Sequence, residues 1–148
     1  MTMIKICGLT KPADIQAVNE ALPDYIGFVF AQSRRKVSRE QAEQLKGLLD
    51  KRIKAVGVFV NEEHERIVQL AHDGIIDLIQ LHGDEDESYI KKLKSISTAP
   101  VIKAVRVKST QDILAADALP CEFLLLDAYR EGVYGGTGST FDLSLIPK

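Results

Sequence analysis

Six short apolar runs rich in β-branched and aromatic residues, at 3–7, 25–30, 55–60, 78–81, 101–107 and 123–127, set the architecture open to this chain. They begin roughly every 22 to 30 residues, the spacing of a repeated strand-and-helix unit. Several are apolar at consecutive positions, as strands are when both faces are covered, and this favours a parallel sheet. The segments between them carry helix-start chemistry. Ser38 and Gln41 form a capping-box pair ahead of Ala42, Leu45, Leu48 and Leu49 at helical spacing, and Ser109 with Asp112 repeats the device ahead of Ile113 and Leu114. Thr10 with Pro12, and Asn61 ahead of Glu62 and Glu63, are weaker versions. The acidic run at 84–87 reads as a helix start, because a helix N-terminus attracts carboxylates.

The count is six βα units with no composition break, hence a single domain over 1–148. A closed eight-stranded (β/α) barrel takes roughly 200 to 250 residues, so 148 residues hold about six of its units. The competing architecture is a flavodoxin-like doubly wound sheet of five strands. The sixth strand and the placement of the polar residues favour α/β of the (β/α)8 TIM-barrel class, as an incomplete barrel.

Composition excludes several kinds of function. A hydrophobic share of 45% and a charged share of 27% belong to an ordinary folded domain, and a net charge of -2 argues against a nucleic-acid partner. No stretch approaches the roughly 18 apolar residues of a membrane span, and the expected location is the cytoplasm. Cys7 and Cys121 lack metal-site or disulfide spacing and read as reduced thiols.

In either architecture the active site lies beyond the C-terminal ends of the strands. There stand Cys7 after strand one, Ser33, Arg34 and Arg35 after strand two, Gln80 and His82 at strand four, and Asp127 at strand six. A thiol, a guanidinium, an imidazole and a carboxyl group on one rim make a candidate acid–base site. Cys7, before Gly8, would present a base or nucleophile as the thiolate, against the plainer reading of a buried small hydrophobe. Asp127 closes an apolar run and is a candidate general acid, or else a cap or ion-pair partner. Spacing leaves Arg34 and Arg35 equivalent as clamps for a substrate carboxylate. His82 shares a strand face with Gln80, as a pocket or a core residue, whereas His64 and His72 fall on a surface helix. Cys121, preceding strand six at the opposite rim, reads as structural. Gly135, Gly136, Thr137 and Gly138 lack the lysine and spacing of a P-loop and read as a flexible loop over the site.

The segments 5–10, 27–30 with Ser33 and Arg35, 56–61, 80–83, 101–105, 124–127, and 135–138 with Phe141 and Asp142 resemble, in order, those of the phosphoribosylanthranilate isomerases of tryptophan biosynthesis. The resemblance implies a (β/α)8 barrel that carries out an Amadori rearrangement of N-(5-phosphoribosyl)anthranilate to 1-(2-carboxyphenylamino)-1-deoxyribulose 5-phosphate without cofactor or metal. By that resemblance Asp127 is the general acid, Cys7 the general base, and Arg35 the holder of the anthranilate carboxylate. Gln80 and His82 bind substrate and Gly135 to Gly138 cover it. The family's chain continues beyond Pro147 with strands seven and eight and their phosphate-binding loops, so strands one and six are expected to be open edges, prone to self-association. A truncated chain, a naturally short one and a pair of copies covering each other's edges all fit. The expectation is little turnover unless the barrel is complemented. A non-catalytic binding domain on the same scaffold is the alternative. The aminoaldose isomerase of histidine synthesis fits less well, since it resembles a pair of aspartates in the two roles.

Overall fold

The computed structural model describes residues 1–129 and 140–147. The alternation expected from the apolar runs is realised as β1 (Lys5–Cys7), α1 (Pro12–Ala21), β2 (Tyr25–Val29), α2 (Arg39–Leu48), β3 (Lys54–Phe59), α3 (His64–His72), β4 (Leu78–Leu81), α4 (Glu87–Ile96), β5 (Val101–Val107), α5 (Thr110–Asp117) and β6 (Phe123–Ala128), followed by a short 3-10 turn at Leu143–Leu145. The strands form one parallel sheet in sequential order β1 to β6. Sequential order removes the flavodoxin-like alternative, whose chain reverses its direction of growth across the sheet.

The sheet is curled. Neighbouring strands lie about 4.8 Å apart, so in a flat sheet β1 and β4 would stand roughly 14 Å from each other. Yet the Lys5 ammonium on β1 donates to Gln80 Oε1 on β4 at 2.7 Å, across the concave face. Both faces of the strands are therefore occupied. Ile26, Phe28, Ala55, Phe59, Ile79, Leu81 and Val101 pack outward under the helices with Ile15, Leu45, Ile67 and Ile90. Val56, Leu78 and Ile102 pack inward with Tyr25 and Leu125. This double burial accounts for the consecutive apolar positions, β3 being buried from Ala55 through Phe59.

Helix entry follows the sequence chemistry with local differences. Ser38 and Gln41 form the reciprocal box: Ser38 Oγ accepts from Gln41 N at 3.2 Å, and Gln41 Oε1 from Ser38 N at 3.0 Å. At α5 the Asp112 carboxylate accepts from the backbone N–H of Lys108 and Ser109 and from the Ser109 hydroxyl. At α1 the cap position is Lys11 rather than Thr10, and Asp14 reaches back to both backbone N–H groups. Asn61 does not start α3, which begins after Glu63; it sits in the left-handed region (φ 49°) and accepts from Asp84 N through Oδ1. In the acidic run Asp86 caps α4, but Glu85 is buried and paired with Lys103 at 2.8 Å. Among the described residues no helix is long and apolar enough to cross a membrane.

Candidate active site

Strand register carries the polar residues of the sequence to one end of the concave face. Lys5 and Cys7 pair with Tyr25 and Gly27, Val58 with Gln80, and Arg106 with Asp127. Around them lies an open cavity of about 580 Å³ whose polar lining includes Lys5, Cys7, Arg35, Gln80, His82 and Asp127. Val29, Ala31, Val58, Val60 and Leu125 supply an apolar wall. A larger groove, about 680 Å³, lies near the C-terminal ends of α3 and α4, but its Asp77 is committed to Lys46 and to the backbone of Ala55, as a structural tie.

Two glycines make room at the rim. Gly27 lets the Cys7 thiol lie against β2, for a Cβ there would stand 2.5 Å from Sγ. Gly8 adopts φ +90° and carries the Arg35 side chain across it, where a Cβ would meet Nη1 at 2.5 Å. Arg35 Nη1 donates to the Cys7 carbonyl at 3.0 Å, so the guanidinium is docked beside the thiol's own backbone. Arg35 lines the cavity and Arg34 does not, which separates the two arginines that spacing left equivalent.

On the far wall Asp127 is doubly held. Its Oδ2 lies 3.1 Å from His82 Nε2, and its Oδ1 accepts from the Ala128 backbone N–H at 2.9 Å. His82 Nδ1 lies 2.9 Å from Gln80 Nε2, so Lys5, Gln80, His82 and Asp127 form one hydrogen-bonded chain across the concave face. Burial pushes the His82 pKa below its usual 6.5, with the Asp127 carboxylate opposing that shift.

The loop after β4 is fixed from behind. Glu85 accepts from Asn61 N through Oε1 at 2.8 Å and from Gly83 N through Oε2 at 2.9 Å, while Lys103 Nζ donates to Gly83 O and to Glu85 Oε2, both at 2.8 Å. Sequence reasoning passed over Lys5 and this Glu85–Lys103 pair. The signal available for both was a lysine inside an apolar strand: Lys5 lies two residues before Cys7, hence on the same face, and Lys103 faces the helices, where it requires a partner. Cys121 packs against the helix-side core, and burial raises its thiol pKa. His64 packs against Tyr89 with the rings tilted by 30° and their centroids 4.0 Å apart, and His72 is exposed. Residues Gly135, Gly136, Thr137 and Gly138, expected to cover the site, lie outside the described residues.

The sequence profile of N-(5'phosphoribosyl)anthranilate (PRA) isomerase matches residues 4–148. The chain belongs to this family. It is 49% identical over 142 residues to N-(5'-phosphoribosyl)anthranilate isomerase of Lachnoclostridium phytofermentans, an alignment covering 96% of this chain and 65% of that one. Phosphoribosyl anthranilate isomerase from Thermotoga maritima superposes with a TM-score of 0.83 at 37% identity, covering 98% of this chain and 70% of that one. A phosphoribosyl anthranilate isomerase in complex with reduced 1-(o-carboxyphenylamino)-1-deoxyribulose 5-phosphate gives 0.78 at 37% identity, over 87% and 66%. This chain spans 65% of the length of that Lachnoclostridium phytofermentans isomerase and 72% of that of the isomerase of Endomicrobium trichonymphae. The six-unit curled sheet thus matches the barrel of the phosphoribosyl anthranilate isomerases over the covered part of their chains.

Proposed function

We propose that this chain carries the acid–base centre of an N-(5'-phosphoribosyl)anthranilate isomerase and acts on that aminoaldose in tryptophan biosynthesis, in the cytoplasm. The observation that supports it is the joint exposure of Cys7 and Asp127 to one cavity, from β1 and from β6, with an apolar wall beside them that suits the anthranilate ring.

In this reading Asp127, as the acid, protonates the ribose ring oxygen. The C1–O bond breaks, its electrons pass to that oxygen, and the anthranilate nitrogen lone pair forms the C1=N bond of a protonated Schiff base. Cys7, as thiolate, removes the C2 proton; the C–H electrons become the C1=C2 bond of an enolamine while the C=N electrons return to nitrogen. Loss of the C2 hydroxyl proton and protonation at C1 then give the ketose. Arg35 holds the anthranilate carboxylate: one of its five N–H donors is engaged by the Cys7 carbonyl, which leaves the fork for a second acceptor. Gln80 and His82 form the polar floor. The substrate phosphate falls to the units that the longer relatives possess beyond the matched segment, and self-association through the outer strands β1 and β6 is part of the proposal.

Turnover of phosphoribosylanthranilate, followed by the loss of its anthranilate fluorescence, tests the reading. Cys7→Ala and Asp127→Asn are each expected to lower kcat by about 10²- to 10⁴-fold. Turnover that survives Cys7→Ala would sink the proposal, and so would a wild-type chain without turnover when supplied with the further units of a longer relative.

A further inference from the structure

Gln80 is almost completely buried, and its side chain connects a cation to an imidazole. An ammonium group only donates, so the Gln80 atom facing Lys5 at 2.7 Å is the carbonyl oxygen. Its other atom is then the NH₂ group, which donates to His82 Nδ1 at 2.9 Å and requires a lone pair there. The ring proton of neutral His82 is left on Nε2, where it donates to Asp127 Oδ2 at 3.1 Å. The polarity of the whole chain is set at one end, by the charge of Lys5.

We infer that His82 is a positioning residue for Asp127, locked by Gln80 and Lys5 as the tautomer with its proton on Nε2, so that an N–H donor always faces the Asp127 carboxyl group. Protonating Nδ1 would set two N–H groups against each other. Relief by turning the Gln80 amide would bring its NH₂ against the Lys5 ammonium, leaving buried donors without acceptors. The charged and titratable groups gathered around the ring act in both directions. Lys5 of β1 and Lys103 of β5 oppose a charged imidazole, and Asp127 of β6 favours one, while Glu85 neutralises Lys103 and Cys7 and Arg35 line the same cavity. For the isomerase reading, on which the catalytic meaning rests, this holds in place the carboxyl group assigned as the acid, by an N–H from a neutral imidazole.

The test is the two-bond ¹H–¹⁵N spectrum of the protein labelled with ¹⁵N-histidine, recorded without substrate between pH 7.5 and 5. The sequence has three histidines, and the loss of one set of signals in His82→Gln identifies this ring. Nδ1 is expected in the pyridine-type region and Nε2 in the pyrrole-type region, with His82 remaining neutral at pH values where exposed His72 has become charged. In Gln80→Leu, which keeps the Lys5 charge and removes the donor to Nδ1, His82 should populate both tautomers and take up its proton at higher pH. A wild-type ring with its proton on Nδ1, a charged His82 at neutral pH, or a Gln80→Leu ring identical to wild type would overturn the assignment. If Gln80→Leu does not fold, the wild-type spectrum decides alone. The expected spectrum together with no turnover even when the further units of a longer relative are supplied would remove the isomerase reading and leave the tautomer standing.

Discussion

Cys7 owes its place to an absent side chain. Its thiol occupies the volume that any residue larger than glycine at position 27 would fill, so Gly27→Ala must displace Sγ or β2. In the role proposed for Cys7, a shift of about 1 Å is enough to cost on the order of 10²-fold in rate, and kcat of Gly27→Ala should fall by about that factor. Alkylation of Cys7 by iodoacetamide should change in parallel, which would separate a displaced thiol from a globally destabilised chain. Cys7 and Asp127 were legible from the sequence because each interrupts or ends an apolar strand with a reactive group. The Gly27–Cys7 contact and the docking of Arg35 over Gly8 were not, since they join residues 20 and 27 positions apart whose contact depends on strand register and a turn.

At the scale of elements, entry into each helix is governed by short-range chemistry, and there sequence spacing reads well. Ser38→Ala removes the acceptor for Gln41 N and should cost about 1 kcal/mol, read as a lower urea midpoint with an unchanged slope. The loop between β4 and α4 obeys longer-range forces. Glu85 and Lys103 are almost fully buried and tie that loop to β5, so Glu85→Ala would leave an ammonium group without its counter-charge, at a cost of about 3–5 kcal/mol. The double variant Glu85→Leu with Lys103→Met removes both charges, and urea denaturation should find it more stable than Glu85→Ala alone. Reading 84–87 as a helix start succeeded for Asp86, whose partner is three residues away, and missed Glu85, whose partner is 18 residues distant.

For the whole molecule, His82 and the carboxyl groups with lowered pKa, Asp73 among them, act in different pH windows. The folded pKa of His82 lies below 6.5, so between that folded value and 6.5 the unfolded chain binds more protons than the folded one. Stability therefore rises with pH across that window and falls on acidification below about 6.5. His82→Gln should flatten this part of the profile, measured as urea midpoints between pH 7.5 and 5. Asp73, held at about 2 by Gln69 and then Arg39, contributes above its unfolded value of 3.8 and loses that contribution as the pH falls toward 2, a window that His82→Gln leaves untouched. By itself the sequence determined the six βα units, the two-faced burial of the strands, the helix caps at Ser38 and Ser109 and the rim on which the reactive groups stand. These follow from periodicity and from contacts a few residues apart. The tertiary structure alone decided the curl of the sheet, the docking of Arg35 over Gly8, and the chain of hydrogen bonds from Lys5 to Asp127. Those joins span up to 75 residues, and only the folded register of β1, β4 and β6 brings their polar atoms within bonding distance.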